Sequence, residues 1–233
     1  MAIAEHLARL KWGGDRWAEW RSRHPQTPPD LSDSDLSGAD LRGLDLRGVS
    51  FKGSILTSAQ LDAADLSDAD LTLATLTNAS LQHASLHRAI LLGATLTAAN
   101  LRVADLSHAN LIGADLSHAN LRAANFNHAN LERASLSHIN GQGANLNQAN
   151  LSKANLYDAE LISAFLYAAT LQKANLVNTH LTHAYLFNAD FSQANLVNSD
   201  LRWANLSYAN FDGATLQGVL LGSAILTHTV LAA

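Results

Sequence analysis

The sequence contains no cysteine, only one methionine and only three prolines in 233 residues. Without cysteine the chain can form neither a disulfide nor a thiolate metal site. No apolar run approaches the roughly 20 residues that a membrane-spanning helix needs, and the first residues lack the basic and apolar segments of a signal peptide. We therefore expect a cytoplasmic protein that uses no cofactor and does not enter a membrane.

Charged residues are also scarce, and they are unevenly distributed. The net charge is −5. Residues 1–29 sum to +2, residues 30–70 to −6 and residues 71–233 to −1. This balance argues against direct nucleic-acid binding. The acid is concentrated in nine aspartates that we call the acidic end: Asp30, Asp33, Asp35, Asp40, Asp45, Asp62, Asp65, Asp68 and Asp70.

A five-residue repeat organises most of the chain. From Leu31 to Leu231 every fifth residue is Leu or Phe, with Gly141 as the exception, and the residue two before this centre is mostly Ala. A period of five fits neither an α-helix, at 3.6 residues per turn, nor a flat strand, which alternates every two residues. A coil that turns a corner in each repeat can send one Leu and one Ala inward. Such short internal repetition indicates a solenoid.

The Ala-(Asp/Asn)-Leu-x-x pattern, as in residues 104–108, resembles the pentapeptide-repeat family. The resemblance implies an all-β solenoid: a right-handed quadrilateral β-helix with four repeats in each coil and about ten coils. With strands about 4.8 Å apart, the rod would be roughly 48 Å long. The chain then divides into residues 1–29, a helical cap with a proline-rich lead-in, and residues 30–233, the β-helix with an apolar dimerisation end.

The first 29 residues predict two short helices. Ile3, Leu7 and Leu10 recur at helical spacing, a glycine pair at 13–14 ends the first helix, and Asp15 is the expected N-cap of the second. An uncovered β-helix end would expose unpaired strand edges. We expect the helices to cover it, although the tryptophans could instead bind a partner. The expected capping residues are Leu7, Leu10, Trp12, Trp17 and Trp20.

The last coils are apolar on the outside as well as the inside. Leu220, Ile225 and Val230 stand where earlier repeats carry polar residues. An exposed apolar end favours association, so we expect an isologous homodimer joined through the C-terminal coils. The resemblance implies the same, since members of the family often dimerise there. The candidate interface is Val219, Leu220, Leu221, Ile225, Leu226, Val230 and Leu231.

One repeat departs from the pattern. Gly141 occupies a centre while Ile139 replaces the usual small residue two positions earlier. Cores tolerate exchanges that conserve volume. We expect Ile139 to fill the space of the missing leucine, with a local backbone irregularity.

The polar residues do not form a catalytic or metal-binding pattern. A 20-residue coil places His118 over His138 and His108 over His128, on opposite faces. Two imidazoles without a third ligand make a poor zinc site, so we expect solvated corner histidines whose stacking makes the rod pH-sensitive. A convex rod offers no cleft in which paired carboxylates could act. We therefore expect no metal and no enzymatic activity.

Within the repeat array, all aromatic residues other than the four central phenylalanines lie between residues 157 and 208. Phe165 is expected to stack on Tyr185, and Tyr167 on Phe187. Two interpretations stay open: a cross-strand ladder that stabilises the sheet, or a protein-binding patch. The candidate interaction patch is Phe165, Tyr167, Tyr185, Phe187, Trp203 and Tyr208.

The resemblance suggests three functions. We favour a non-enzymatic protein–protein interaction scaffold or regulator, since most of the family has no topoisomerase role. The first alternative is a DNA mimic that binds gyrase or topoisomerase IV and gives resistance to quinolone-type poisons. Near-neutral charge after residue 70 speaks against it, because a mimic of DNA needs acid along its length. The second alternative is a purely structural spacer rod.

Overall fold

Two short helices precede a long stack of turns. The computed structural model describes residues 3–25 and 27–230. Helix α1 spans Ala4–Lys11 and helix α2 spans Gly14–Arg23. Among the described residues, no helix is both long enough and apolar enough to cross a membrane.

The remainder of the described chain is a four-sided coil. From Asp30 onward one residue in each repeat forms a parallel bridge with the residue 20 positions later, as Asp30 does with Ser50 and Asn210 with Val230. Four bridges in each 20-residue period give a coil of four repeats and a stack of about ten coils, as predicted. Each bridge is isolated, so no strand in the described residues is longer than one residue. The right-handed sense of the coil stays a prediction.

Each corner is a β-turn that starts at a central residue. The amide of Ala39, for example, donates to the carbonyl oxygen of Leu36 at 3.0 Å. The third residue of the turn has a positive φ in every repeat across 33–228, as a type II turn requires. The residue before the centre supports the turn through its side chain, since Asp35 Oδ1 accepts the amide of Ser37 at 3.0 Å. Asp and Asn form such turns readily, which explains their preference for this position.

The interior is a continuous column of buried leucines, phenylalanines and alanines. Each fully buried Leu contributes roughly 1.5–3 kcal/mol before entropy is subtracted. Phe191 and Phe211 stack with ring centroids 4.7 Å apart. Outside the core, asparagine side chains bond from coil to coil, as Asn120 Nδ2 donates to Asn100 Oδ1 at 3.3 Å.

The repeat at Gly141 keeps the ladder. Ile139 is buried, and the bridges from Asn140 to Asn120 and to Glu160 continue through it. The expected exchange of volume is confirmed. The expected irregularity is confined to one turn. In neighbouring repeats the fourth residue of the turn donates its amide to the carbonyl oxygen of the first, but among the described residues Ile139 makes no such bond to Leu136.

Candidate interaction surface

The 20-residue coil sorts every surface residue onto one of four sides. We name the sides by their central residues at 20-residue intervals: side A from Leu31, side B from Leu36, side C from Leu41 and side D from Leu46. Sides B and D are opposite each other.

Five of the six residues of the candidate patch lie together on side D. We call Phe165, Tyr167, Tyr185, Phe187 and Tyr208 the aromatic strip. The rings of Tyr167 and Phe187 stack with centroids 6.0 Å apart, as predicted. Phe165 is bridged to Tyr185 through the backbone, but the Tyr185 ring stacks on Phe187, at 6.3 Å. Tyr208 extends the contact, with its ring 5.2 Å from that of Phe187.

Trp203 lies outside the strip. It belongs to side C, where its ring stacks on His183 with centroids 6.0 Å apart. The sequence separation between Trp203 and Tyr208 is only five residues, but one repeat carries the chain around a corner. The patch expected from the sequence is therefore divided between two sides.

Phe187 lies at the centre of the strip. Its ring contacts those of Tyr167 and Tyr208 in the adjacent coils and that of Tyr185 in its own coil. The side chain of Asn147 fixes the first coil of the strip, because its Oδ1 accepts the amide of Tyr167 at 2.8 Å.

Side D is uncharged around the strip. The nearest charged residue along side D is Asp105, toward the cap. Beyond it six consecutive repeats contain no Asp, Glu, Lys or Arg: residues 124–128, 144–148, 164–168, 184–188, 204–208 and 224–228. Aromatic residues with few charges are enriched in the cores of protein interfaces.

The N-terminal helices cover the first coil mainly through α2. Trp17 is fully buried and its Nε1 donates to the carbonyl oxygen of Asp45 at 2.7 Å. Trp20 and Leu10 are also buried, and Leu7 packs against the core in a partly buried position. Trp12 is not part of the cap, because 63% of its surface is exposed. It ends α1 and points away from the coil, with the Arg9 guanidinium 5.2 Å from its ring.

The cap contains a contact that periodicity did not predict. His6 is buried, its Nδ1 accepts the amide of Asp30 at 3.0 Å, and its ring lies 4.8 Å from that of Trp20. The prediction of Asp15 as N-cap was wrong. Gly13 takes that position with a φ of 102°, which favours glycine. Asp15 lies in the first turn of α2.

Five of the nine aspartates of the acidic end lie beside a basic side chain. Asp40 pairs with Arg42 at 2.7 Å. Asp45 pairs with Arg47 at 2.8 Å. Hydrogen bonds from these arginines lower the pKa of each carboxyl to about 2. Three more aspartates of the acidic end have an Arg or Lys within 3.5 Å: Asp65, Asp68 and Asp70. Asp30, Asp35 and Asp62 instead accept hydrogen bonds from serine, at 2.6–3.0 Å.

The C-terminal coils expose apolar side chains as far as the structure describes them. Leu220, Ile225, Leu226 and Val230 are exposed, whereas Val219 and Leu221 are partly buried. Leu231 lies outside the described residues. Ile225 belongs to side D, where Asn205 lies between it and Tyr185 of the aromatic strip.

Most histidines occupy the turn position with positive φ, where His is enriched with Asn and Asp. Seven of the eleven lie there: His83, His108, His118, His128, His138, His183 and His228. His118 stacks on His138 and His108 on His128, each pair with centroids 4.9 Å apart. The described residues contain no cluster of three or more potential metal ligands.

Comparison with known families and structures gives consistent matches. The family of pentapeptide repeats matches over residues 30–68, 54–93, 64–102, 99–137, 142–172, 166–202 and 184–222. HetL is a pentapeptide repeat protein involved in heterocyst differentiation regulation from the cyanobacterium Nostoc sp. strain PCC 7120. It is 31% identical, with a TM-score of 0.68 over 97% of each chain.

Two further solved structures match more weakly. Full-length QnrB1, a plasmid-mediated fluoroquinolone resistance protein, is 20% identical over 84% of this chain and 93% of its own, with a TM-score of 0.35. Rfr23, from the cyanobacterium Cyanothece 51142, is 31% identical over 50% of this chain and 63% of its own, with a TM-score of 0.21. The search among curated proteins finds no match.

Proposed function

Since the chain belongs to the pentapeptide repeat family, we propose that it is a cytoplasmic, non-enzymatic regulator that binds another protein through the aromatic strip. HetL, which regulates differentiation, resembles the chain along nearly its whole length. The right-handed coil that the family resemblance implies is part of this proposal.

The observation that carries the proposal is the exposed aromatic strip on an uncharged side. Phe165, Tyr185 and Tyr208 keep between 40% and 50% of their surface exposed. Tyrosine is enriched among the residues that dominate binding energy at interfaces. Ring stacking within the strip fixes the side chains before a partner arrives, and this lowers the entropy that binding would cost.

A DNA-mimicking inhibitor of gyrase is less well supported. Mimicry needs unpaired acid along the rod. Five of the nine aspartates at the acidic end are paired with arginine or lysine, for example Asp40 with Arg42, and the later coils are almost neutral. The likeness to QnrB1 concerns the fold alone. A purely structural spacer would give the strip no role.

Photo-crosslinking in the organism's own cells tests the proposal. A photoreactive phenylalanine analogue replaces Tyr167 in the strip or, as a matched control, Tyr157 on the opposite side B. Both tyrosines are 38% exposed. We expect a discrete protein adduct from position 167 and none from position 157. Equal labelling at the two positions would contradict the proposal.

A gyrase supercoiling assay with and without a quinolone separates the first alternative. We expect no effect of the purified chain. Protection or inhibition of gyrase would instead favour the DNA mimic.

The sequence also predicts an end-to-end homodimer through the C-terminal coils, and exposed Leu220, Ile225 and Val230 support it. Association through this end would leave the aromatic strip free for a partner. The two contacts use different parts of the rod, so variants can separate them.

A further inference from the structure

Two vertical columns on side D repeat the same order of polar and aromatic residues. Across the four coils at the centre, the column just before the centres reads Asn145, Phe165, Tyr185 and Asn205. Across the same coils the column just after the centres reads Asn147, Tyr167, Phe187 and Ser207. Each is polar, aromatic, aromatic, polar. Each column therefore has the same pattern when the rod is reversed end to end about a point midway between Leu166 and Leu186.

The uncharged part of side D is centred on the same point. It extends from the repeat at Phe126 to the repeat at Leu226, three coils to either side of the midpoint. A two-fold symmetric contact brings a surface against itself, so every charge near its axis faces a like charge. Side D has none within this distance, although the chain as a whole has a net charge of −5.

We propose that side D binds a second copy of this chain, side by side and antiparallel, about a two-fold axis between the coils of Leu166 and Leu186. The inference rests on the proposed function in taking the aromatic strip as an interface, and it names the partner. Tyr167 then faces the second copy's Phe187, and Phe165 faces the second copy's Tyr185. Asn145 faces the second copy's Asn205, and one coil further out Asn125 faces the second copy's Ile225.

The antiparallel arrangement also keeps the charged ends apart. In this arrangement the last described repeat of side D, residues 224–228, faces residues 124–128 of the second copy. Asp105 of each copy lies one coil beyond the contact. A parallel pairing would instead place the acidic ends next to each other, with Asp65 and Asp68 beside their own counterparts. Like charges directly opposite destabilise a pair.

The size of the contact sets its strength. Six coils at about 4.8 Å and five residues at about 3.3 Å give a patch of roughly 29 Å by 16 Å. This is smaller than the roughly 800 Å² per partner of a standard stable interface. We therefore expect a reversible dimer that forms at micromolar concentration. Its affinity should change little with salt, because few charges lie near it.

Absence of cysteine makes a direct test clean, since an introduced thiol is the only one in the chain. We would mix Asn145→Cys with Asn205→Cys and add a short bismaleimide. Antiparallel pairing places residue 145 of one copy opposite residue 205 of the other, across the roughly 10 Å between packed sheets. The two copies of residue 145 are about 14 Å apart along the rod, and so are the two copies of residue 205. A covalent dimer is expected from the mixture and not from either variant alone.

The same crosslinking experiment includes a control on side B and a test for the end-to-end dimer. Tyr157→Cys mixed with Asn205→Cys should give no covalent dimer, because residue 157 is on side B. A covalent dimer from Val230→Cys alone, with none from the Asn145→Cys and Asn205→Cys mixture, would mean end-to-end association and would overturn the inference. A parent chain that stays monomeric by light scattering throughout the micromolar range would also overturn it.

A charge exchange tests the register independently. Tyr167→Lys and Phe187→Glu should each be folded by circular dichroism, yet monomeric. Mixed, they should form a heterodimer, because the lysine of one faces the glutamate of the other. Dimerisation of both variants at the parent's affinity would refute the contact.

The in-cell crosslink at position 167 distinguishes this inference from the proposed function. An adduct of twice the chain's mass, with none to a different protein, supports the homodimer and contradicts binding of a different protein through the strip. An adduct with a different protein, from a chain that is monomeric in the assays above, retains the proposed function and overturns the homodimer.

Discussion

The Cδ1 atom of Ile139 lies 3.4 Å from the point where a Cβ atom on Gly141 would stand. Leu161 Cδ2 from the next coil is closer still, at 2.8 Å. Two side chains therefore occupy the volume that a central leucine fills in other repeats. The glycine and the isoleucine form one packing unit.

This relationship predicts strong coupling in a double-mutant cycle. Gly141→Leu alone should lower the free energy of unfolding by about 1–3 kcal/mol through overpacking, and Ile139→Ala alone by about 2–5 kcal/mol through a cavity. The double variant restores the ordinary repeat and should recover most of both losses. Urea unfolding of the four proteins measures the coupling. Simple additivity of the two single effects would contradict the packing described.

Val103 should be a site of easy stabilisation. It is β-branched and exposed, and its φ is 60°, a conformation that costs L-residues roughly 1–2 kcal/mol. Asn tolerates this region, so Val103→Asn should raise the free energy of unfolding by about 1 kcal/mol. Val177 is the control, because it lies in a turn without a positive φ. Val177→Asn should not stabilise the rod, and equal effects at both sites would dismiss the backbone explanation.

The two tryptophans that flank the glycine pair should differ in how far the same change lowers stability. Trp17→Phe removes the donor to the carbonyl of Asp45 and should cost about 1–3 kcal/mol. Trp12→Phe alters an exposed ring and should stay within about 0.5 kcal/mol of the parent. Thermal unfolding followed by circular dichroism compares them. A destabilised Trp12→Phe variant would place that ring in the cap after all.

Asp45 should make the cap acid-sensitive. Hydrogen bonding from Arg47 lowers its pKa in the folded protein to about 2, from an ordinary value of 3.8. A lowered folded-state pKa contributes stability above the unfolded value, and that contribution disappears as pH falls from about 4 to about 2. Asp45→Asn should therefore unfold more easily than the parent at pH 7, and the difference should vanish near pH 2. A difference that is independent of pH would mean that the carboxylate charge has no role.

Periodicity predicted the solenoid but not every residue around it. The five-residue repeat predicted which leucines are buried and which residues share a side, because side-chain direction follows directly from the coil. The cap was less predictable. Helical spacing identified Leu10, Trp17 and Trp20, but it could not reveal that Trp12 ends α1 facing solvent or that His6 packs beneath Trp20. Those outcomes depend on how two helices dock, which no local pattern encodes.

The candidate surface was also only partly predictable. The five-residue repeat and the 20-residue coil placed Tyr167 beside Phe187, and the two rings do stack in the structure. Ring contacts depend on rotamers as well as register, so Tyr185 stacks on Phe187. Composition indicated an acidic end, but the pairing of Asp68 with Arg88 and of Asp70 with Lys52 appears only once the coil brings them together.

The sequence by itself determined the family and the core, and the family resemblance implied the 20-residue coil. The core repeats locally, so each unit specifies it again. The tertiary structure alone decided how the helices cover the first coil, which aspartates meet a basic residue of another coil and which aromatic rings stack. Each of these requires residues from different coils or elements to meet, and their relative placement is set by packing across the whole rod.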